Sequence, residues 1–123
     1  MQDLIKNLFP SGETQDLYLG AIEAVEGVFK KHPKDAWKQI YKGDSGLSEA
    51  IENDISASGV LGLGLSEEFG GMGGGFLGST LVGDLMAQHG LTSFKSLGTP
   101  FCRRPIIEHG TEEQIRKYVT PTI

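Results

Sequence analysis

The stretch Gly59-Val60-Leu61-Gly62-Leu63-Gly64-Leu65-Ser66-Glu67-Glu68-Phe69-Gly70-Gly71-Met72-Gly73-Gly74-Gly75 limits what this chain can fold into more than any other. Each glycine inside a helix costs roughly 1 kcal/mol relative to alanine, and glycine in a strand leaves nothing to pack. The stretch therefore divides the chain into a helical half before it and another after it. Its expected form is a short extended apolar segment, Val60 to Leu65, buried against the helices, then a tight turn in which Gly70 and Gly71 supply positive φ angles. Glycine makes up 18 of the 123 residues, roughly twice the usual share. The excess is concentrated here and at helix ends, so it is punctuation rather than low complexity.

The flanking segments show helical spacing. Residues 3–9 form a short helix with Leu4, Ile5 and Leu8 on one face, ended by Pro10 and Gly12. A longer helix is expected over 14–31, where Tyr18, Ala21, Ile22, Val25, Val28 and Phe29 recur at three- and four-residue intervals, until His32-Pro33 stops it. Residues 34–41 fit two more turns, with Trp37, Ile40 and Tyr41 apolar. Ser48 is the expected N-cap of a helix through Ser58, with Gly59 as its left-handed C-terminal cap.

After the connector, residues 76–89 read as a helix with Leu77, Leu81, Leu85 and Met86 inward. Gly83 in its middle suggests a close approach of another backbone. Pro100 and Pro105 interrupt residues 93–108, so a kinked helix or two pieces is expected there. Thr111-Glu112-Glu113-Gln114 has capping-box spacing and starts a last helix that halts near Pro121. No alternating run is long enough for a sheet. The expected class is all-α, a bundle of about six helices in one domain.

A formal net charge of −5 offers no basic face for a phosphate backbone and argues against nucleic-acid and membrane partners. No apolar run approaches the roughly 20 residues of a membrane span, and the opening residues lack a signal-peptide pattern. The one cysteine, Cys102, fits a reducing compartment and is expected to be a buried thiol.

The chain offers little for catalysis. Gly73-Gly74-Gly75-Phe76-Leu77-Gly78 satisfies the glycine pattern of dinucleotide sites, but it follows no strand and is answered by no acid near Gly98, so a turn is the better reading. His32, His89 and His109 each end a helix and share no metal-ligand or triad spacing. Glu67-Glu68 and Glu112-Glu113 are adjacent and cannot face each other as a dyad. Arg103-Arg104 could meet an anion, although two such charges are usually solvated. Neither a catalytic set nor a metal site is expected within these residues.

Two segments together carry a resemblance. Gly59 to Gly73 gives the order Gly, apolar run, Glu-Glu-Phe-Gly-Gly-Met-Gly, and residues 105–121 read Pro-Ile-Ile-Glu-His-Gly-Thr-Glu-Glu-Gln-Ile-Arg-Lys-Tyr-Val-Thr-Pro. In this order the chain resembles the N-terminal helical domain of the acyl-CoA dehydrogenases, weakly before Leu47 and well beyond it. Ser66 departs from the family, most members having proline there.

The resemblance implies that residues 1–123 are one domain of a three-domain protein, whose middle β-barrel and C-terminal four-helix bundle are absent from this sequence. It implies FAD held between those other domains and against a neighbouring subunit. A glutamate of the C-terminal domain would remove the α-proton of an acyl-CoA while the β-hydride passes to flavin, giving a trans-2-enoyl-CoA. Electron-transferring flavoprotein would be the acceptor and the whole protein a homo-oligomer, a tetramer or a dimer. The bacterial cytoplasm is the expected compartment, with the mitochondrial matrix as the alternative. The chain itself would supply a wall of the acyl-chain pocket. Aligned on Gly110, the wall positions fall at Leu97 and Phe101, with Phe94 beside them, although apolar residues at this spacing also suit ordinary core packing. The competing expectation is a free-standing, non-catalytic helical interaction module of the same fold.

Overall fold

Helix α2 (Glu13–Lys30) is the axis of the fold because its apolar residues return to one face every three or four positions. Tyr18, Ala21, Ile22, Val25 and Val28 are all buried along it. This face meets helices α1 (Gln2–Leu8), α4 (Ser45–Ala57) and α5 (Gly75–Gln88), which contribute Ile5, Ile51, Ile55, Leu81, Val82, Leu85 and Met86 to one core. The computed structural model describes the backbone of residues 1–91 and 94–123 and the side chains of 1–91 and 101–123. Seven α-helices and no strand occur among the described residues; the one β-like feature is an isolated bridge between Leu63 and Gly73. The all-α expectation holds. No helix of the described residues is long and apolar enough to cross a membrane.

Several local expectations change. Helix α4 begins at Ser45 because Asp44 caps it, its carboxylate accepting the Leu47 N–H at 2.9 Å, so Ser48 lies inside the helix. A carboxylate four residues earlier is at least as good an N-cap as a serine hydroxyl and also suits the positive end of the helix. Helix α3 (Ala36–Tyr41) turns Ala36 inward and leaves Trp37 and Tyr41 47% and 89% exposed. Leu77 of α5 is half exposed. On α5 a close approach is seen at Gly78, where a Cβ would come within 2.8 Å of Leu63 Cγ; Gly83 also lines a cleft.

Gly20 of α2 is the converse case. It sits exposed in the helix with nothing within 4 Å of where a Cβ would be. Gly20→Ala is expected to raise stability by about 0.5–1 kcal/mol, seen as a higher urea midpoint; an unchanged or lower midpoint would mean the position is constrained by something other than propensity.

The connector is more folded than an extended segment. Val60–Gly62 is a 3-10 turn, with Gly62 N–H donating to Gly59 O at 2.9 Å and Leu63 N–H to Val60 O at 3.0 Å. The chain then folds back on itself: Gly64 N–H donates to Gly73 O (2.6 Å), Gly73 N–H to Leu65 O (2.7 Å) and Met72 N–H to Gly62 O (2.9 Å). Gly70 takes the expected positive φ of 87°. Gly71 does not; its lack of a side chain lets Leu65 pass, since a Cβ there would strike the Leu65 backbone. Ser66, in the place of the usual proline, accepts the Glu68 N–H at 3.3 Å and so caps the 3-10 turn Glu67–Phe69.

Helix α6 (Phe94–His109) runs as one helix through both Pro100 and Pro105, neither stopping nor splitting. Each proline removes one rung of the ladder, and the remaining rungs of a 16-residue helix, with the anchors described below, keep it continuous. Helix α7 (Glu112–Tyr118) starts with the expected capping box: Gln114 N–H donates to Thr111 Oγ1 at 3.3 Å and Thr111 N–H to Gln114 Oε1 at 2.8 Å. It buries Ile115, with Val119 just beyond it, against Leu65, forming a second, smaller core that Phe69, Ile106, Ile107 and Ile123 flank.

Candidate functional site

Between α5, α6 and the connector lies a cleft of about 840 Å³. Its apolar floor comes from the connector residues Val60, Leu61, Leu63 and Leu65 together with Val82 and Ile107. The sequence produces this floor because a backbone without side chains at Gly62 and Gly64 can fold tightly while the intervening leucines point into the protein. The rim is mixed. Phe76 and Phe101 are 70% and 81% exposed, and Arg104 lies 4.9 Å over the Phe76 ring while its Nε donates to Glu108 Oε1 at 2.7 Å.

Arg103 is the polar centre of the cleft wall. It is only 6% exposed, the one charged residue buried among the described residues. Its Nε donates to Thr122 Oγ1 at 2.7 Å and its Nη1 to the Leu61 carbonyl at 2.8 Å, so one side chain ties α6 to the connector and to the C-terminal turn. Nη2 is buried without an acceptor among the described residues. Burial pushes the guanidinium below its ordinary pKa, because the charged form loses water; a guanidinium nevertheless stays protonated at neutral pH. The pair Arg103-Arg104 thus divides, one charge buried and structural and the other on the rim. The sequence did hold a signal for this, since Arg103 stands three and four residues before Ile106 and Ile107, on the apolar side of the helix.

Of the expected wall residues, Phe101 lines the cleft and is open to solvent, so it is not core packing within this chain. Phe94 and Leu97 belong to α6, but their side chains lie outside the described residues. Cys102 is exposed rather than buried, because the helix turns its Arg103 side inward.

The histidines are dispersed and occupied in different ways. His32 Nε2 hydrogen-bonds Asp54 Oδ2 at 2.9 Å, linking the end of α2 to α4. His89 stacks on Phe29 at 4.0 Å, and His109 is exposed. No group of three or more His, Cys, Asp or Glu placed to hold a metal occurs among the described residues. The glycine run that opens α5 is used for packing: Gly74 O accepts the Tyr18 hydroxyl at 2.8 Å and Gly78 lies under Leu63.

A family model described as acyl-CoA dehydrogenase, N-terminal domain, matches residues 20–123. No curated protein and no solved structure matched the chain. The matched region takes in α3 to α7 and the connector, both walls of the cleft and most of α2, and it agrees with the all-helical architecture. The chain belongs to the acyl-CoA dehydrogenase family, to which it contributes the N-terminal domain.

Proposed function

We propose that this domain forms part of an FAD-dependent acyl-CoA dehydrogenase, oxidising an acyl-CoA thioester to the trans-2-enoyl-CoA, and that its share of the work is to bound the acyl chain. The observation that carries this is Phe101, held 81% exposed on α6 at the mouth of an apolar cleft within a domain of this family. A phenyl ring left in water by its own domain is available to meet an apolar ligand.

The residues here would exclude water and set the length of the pocket, with Phe94 and Leu97 of the same helix completing the wall. The catalytic base and the FAD site would come from middle and C-terminal domains outside residues 1–123. FAD, when bound there, supplies hydride acceptance. The reading extends to electron-transferring flavoprotein as acceptor, a dimeric or tetrameric assembly, and a reducing compartment, the bacterial cytoplasm ahead of the mitochondrial matrix, in which exposed Cys102 stays a thiol.

The test uses the flavin-containing protein that includes this domain. Acyl-CoA should bleach its flavin, and Phe101→Ala should move the preferred acyl chain to a greater length. Each methylene newly accommodated is worth about 0.8 kcal/mol, or roughly fourfold in kcat/KM. A colourless protein with no response to any acyl-CoA would sink the reading. Flavin reduction with an unchanged chain-length profile would remove Phe101 from the pocket.

A further inference from the structure

The net charge of −5 conceals an uneven distribution. Lys30, Lys31, Lys34, Lys38 and Lys42 fall within thirteen consecutive positions at the end of α2 and along α3, and all five are exposed. The one acid in the same stretch, Asp35, and the next along the chain, Asp44, have other partners. Asp35 Oδ1 accepts from Gln39 Nε2 at 3.1 Å, and Asp44 caps α4. Asp54 of α4 faces His32. None of the five lysines is in an ion pair among the described residues.

Beside these lysines stand the exposed Trp37 and Tyr41, four residues apart and so on one side of α3. Lys38 Nζ lies 5.4 Å over the Trp37 ring. The short helix turns Ala36 and the half-buried Ile40 to the core; Trp37 rests partly against Gly90, and Tyr41 is left open.

We propose that this lysine and aromatic face of α3 docks the protein on an anionic lipid bilayer. The choice of residues favours lipid over an acidic protein. Protein interfaces are depleted in lysine and enriched in arginine, whose planar fork matches a carboxylate. Here all the cations are lysines, and the three arginines of the chain lie elsewhere, at 103, 104 and 116. Lysine serves a diffuse anionic surface well, as a flexible charge worth about 1 kcal/mol each near such a membrane, with a stem that can lie along apolar groups. Tryptophan and tyrosine suit the interfacial zone, one end apolar and the other wet. The acidic remainder of the surface would be repelled, so α3 alone would face the bilayer. The proposal does not depend on the acyl-CoA reading and revises the expectation drawn from total charge.

Trp37 is the sole tryptophan of the chain and reports directly on this face. The 123-residue chain is titrated with vesicles of phosphatidylcholine alone and of phosphatidylcholine mixed with phosphatidylglycerol. The expected result is co-sedimentation and a blue shift of Trp37 emission with the anionic vesicles only, both reversed by high salt. The double variant Lys34→Glu/Lys38→Glu should weaken partitioning by about thirtyfold or more. Lys117→Glu, a single reversal of the same kind on α7, should leave most of it intact. Circular dichroism checks that the variants keep their helices; should the double variant unfold, the salt and lipid dependence of the unaltered chain decides. Equal binding to neutral vesicles, no binding to anionic ones, or the same loss from Lys117→Glu would each overturn the proposal. So would retention on polyglutamate without vesicle binding, or self-association that hides Trp37, since these would assign the face to an acidic protein or a second copy.

Discussion

Arg103→Ala is expected to lower the stability of the chain by about 3–4 kcal/mol, a large part of the 5–15 kcal/mol available to a domain of this size. The side chain is 6% exposed and holds three pieces of structure together: α6, the Leu61 carbonyl of the connector and Thr122. Truncation leaves a cavity and deprives the Leu61 carbonyl of its donor. Thr122 suffers less, because its hydroxyl also donates to Val119 O at 2.6 Å.

Arg103→Met keeps the stem and removes both the buried charge and the orphaned Nη2, so it should cost clearly less than alanine. Arg104→Ala, one residue on, removes an exposed pair with Glu108 and should stay within about 1 kcal/mol. Urea unfolding followed by far-UV circular dichroism ranks the three. An alanine variant at position 103 with the midpoint of the unaltered chain would show that the connector holds its shape without α6.

Gly71→Ala should be at least as damaging, with a loss of about 3–5 kcal/mol, because the added methyl would meet backbone rather than a side chain that can swing away. The Leu65 carbonyl carbon lies 2.5 Å from the position that a Cβ would take. Moving Leu65 strains the bond from Gly73 N–H to Leu65 O, 2.7 Å long, and pulls a buried leucine from its place beside Ile115 and Val119. The floor of the cleft would shift as well, since Leu63 and Leu65 both form part of it. The same chemical change therefore has opposite signs at Gly20 and Gly71, stabilising where the space is open and disruptive where another strand of backbone passes. A Gly71→Ala protein with unaltered thermal midpoint would contradict the packed connector described above.

Much of the helical framework was legible because periodicity reports local geometry. Tyr18, Ala21, Ile22, Val25 and Val28 fall on one face of any α-helix, and all are buried in α2. The capping box at Thr111 is equally local, since its partners lie three residues apart. Failures came where two local options were close in energy or where a distant element decided. Asp44 and Ser48 could each cap α4, and the earlier one does. Trp37 and Tyr41 look like core residues by hydropathy, yet α3 is too short and too peripheral to bury them. Of the candidate site, Phe101 was legible through family resemblance. Arg103 was legible only by its place on the apolar side of α6, and its partners Leu61 and Thr122, 42 and 19 residues away, were not.

The sequence by itself determined the class of structure, the ends of most helices and the family, because these rest on residue spacing, glycine placement and two ordered motifs. Only the tertiary structure decided what the buried Arg103 ties together, which glycine admits a passing backbone, and that Trp37 and Tyr41 stay exposed beside a run of lysines. Burial and proximity of that kind are properties of elements packed against each other, which residue spacing along the chain does not report.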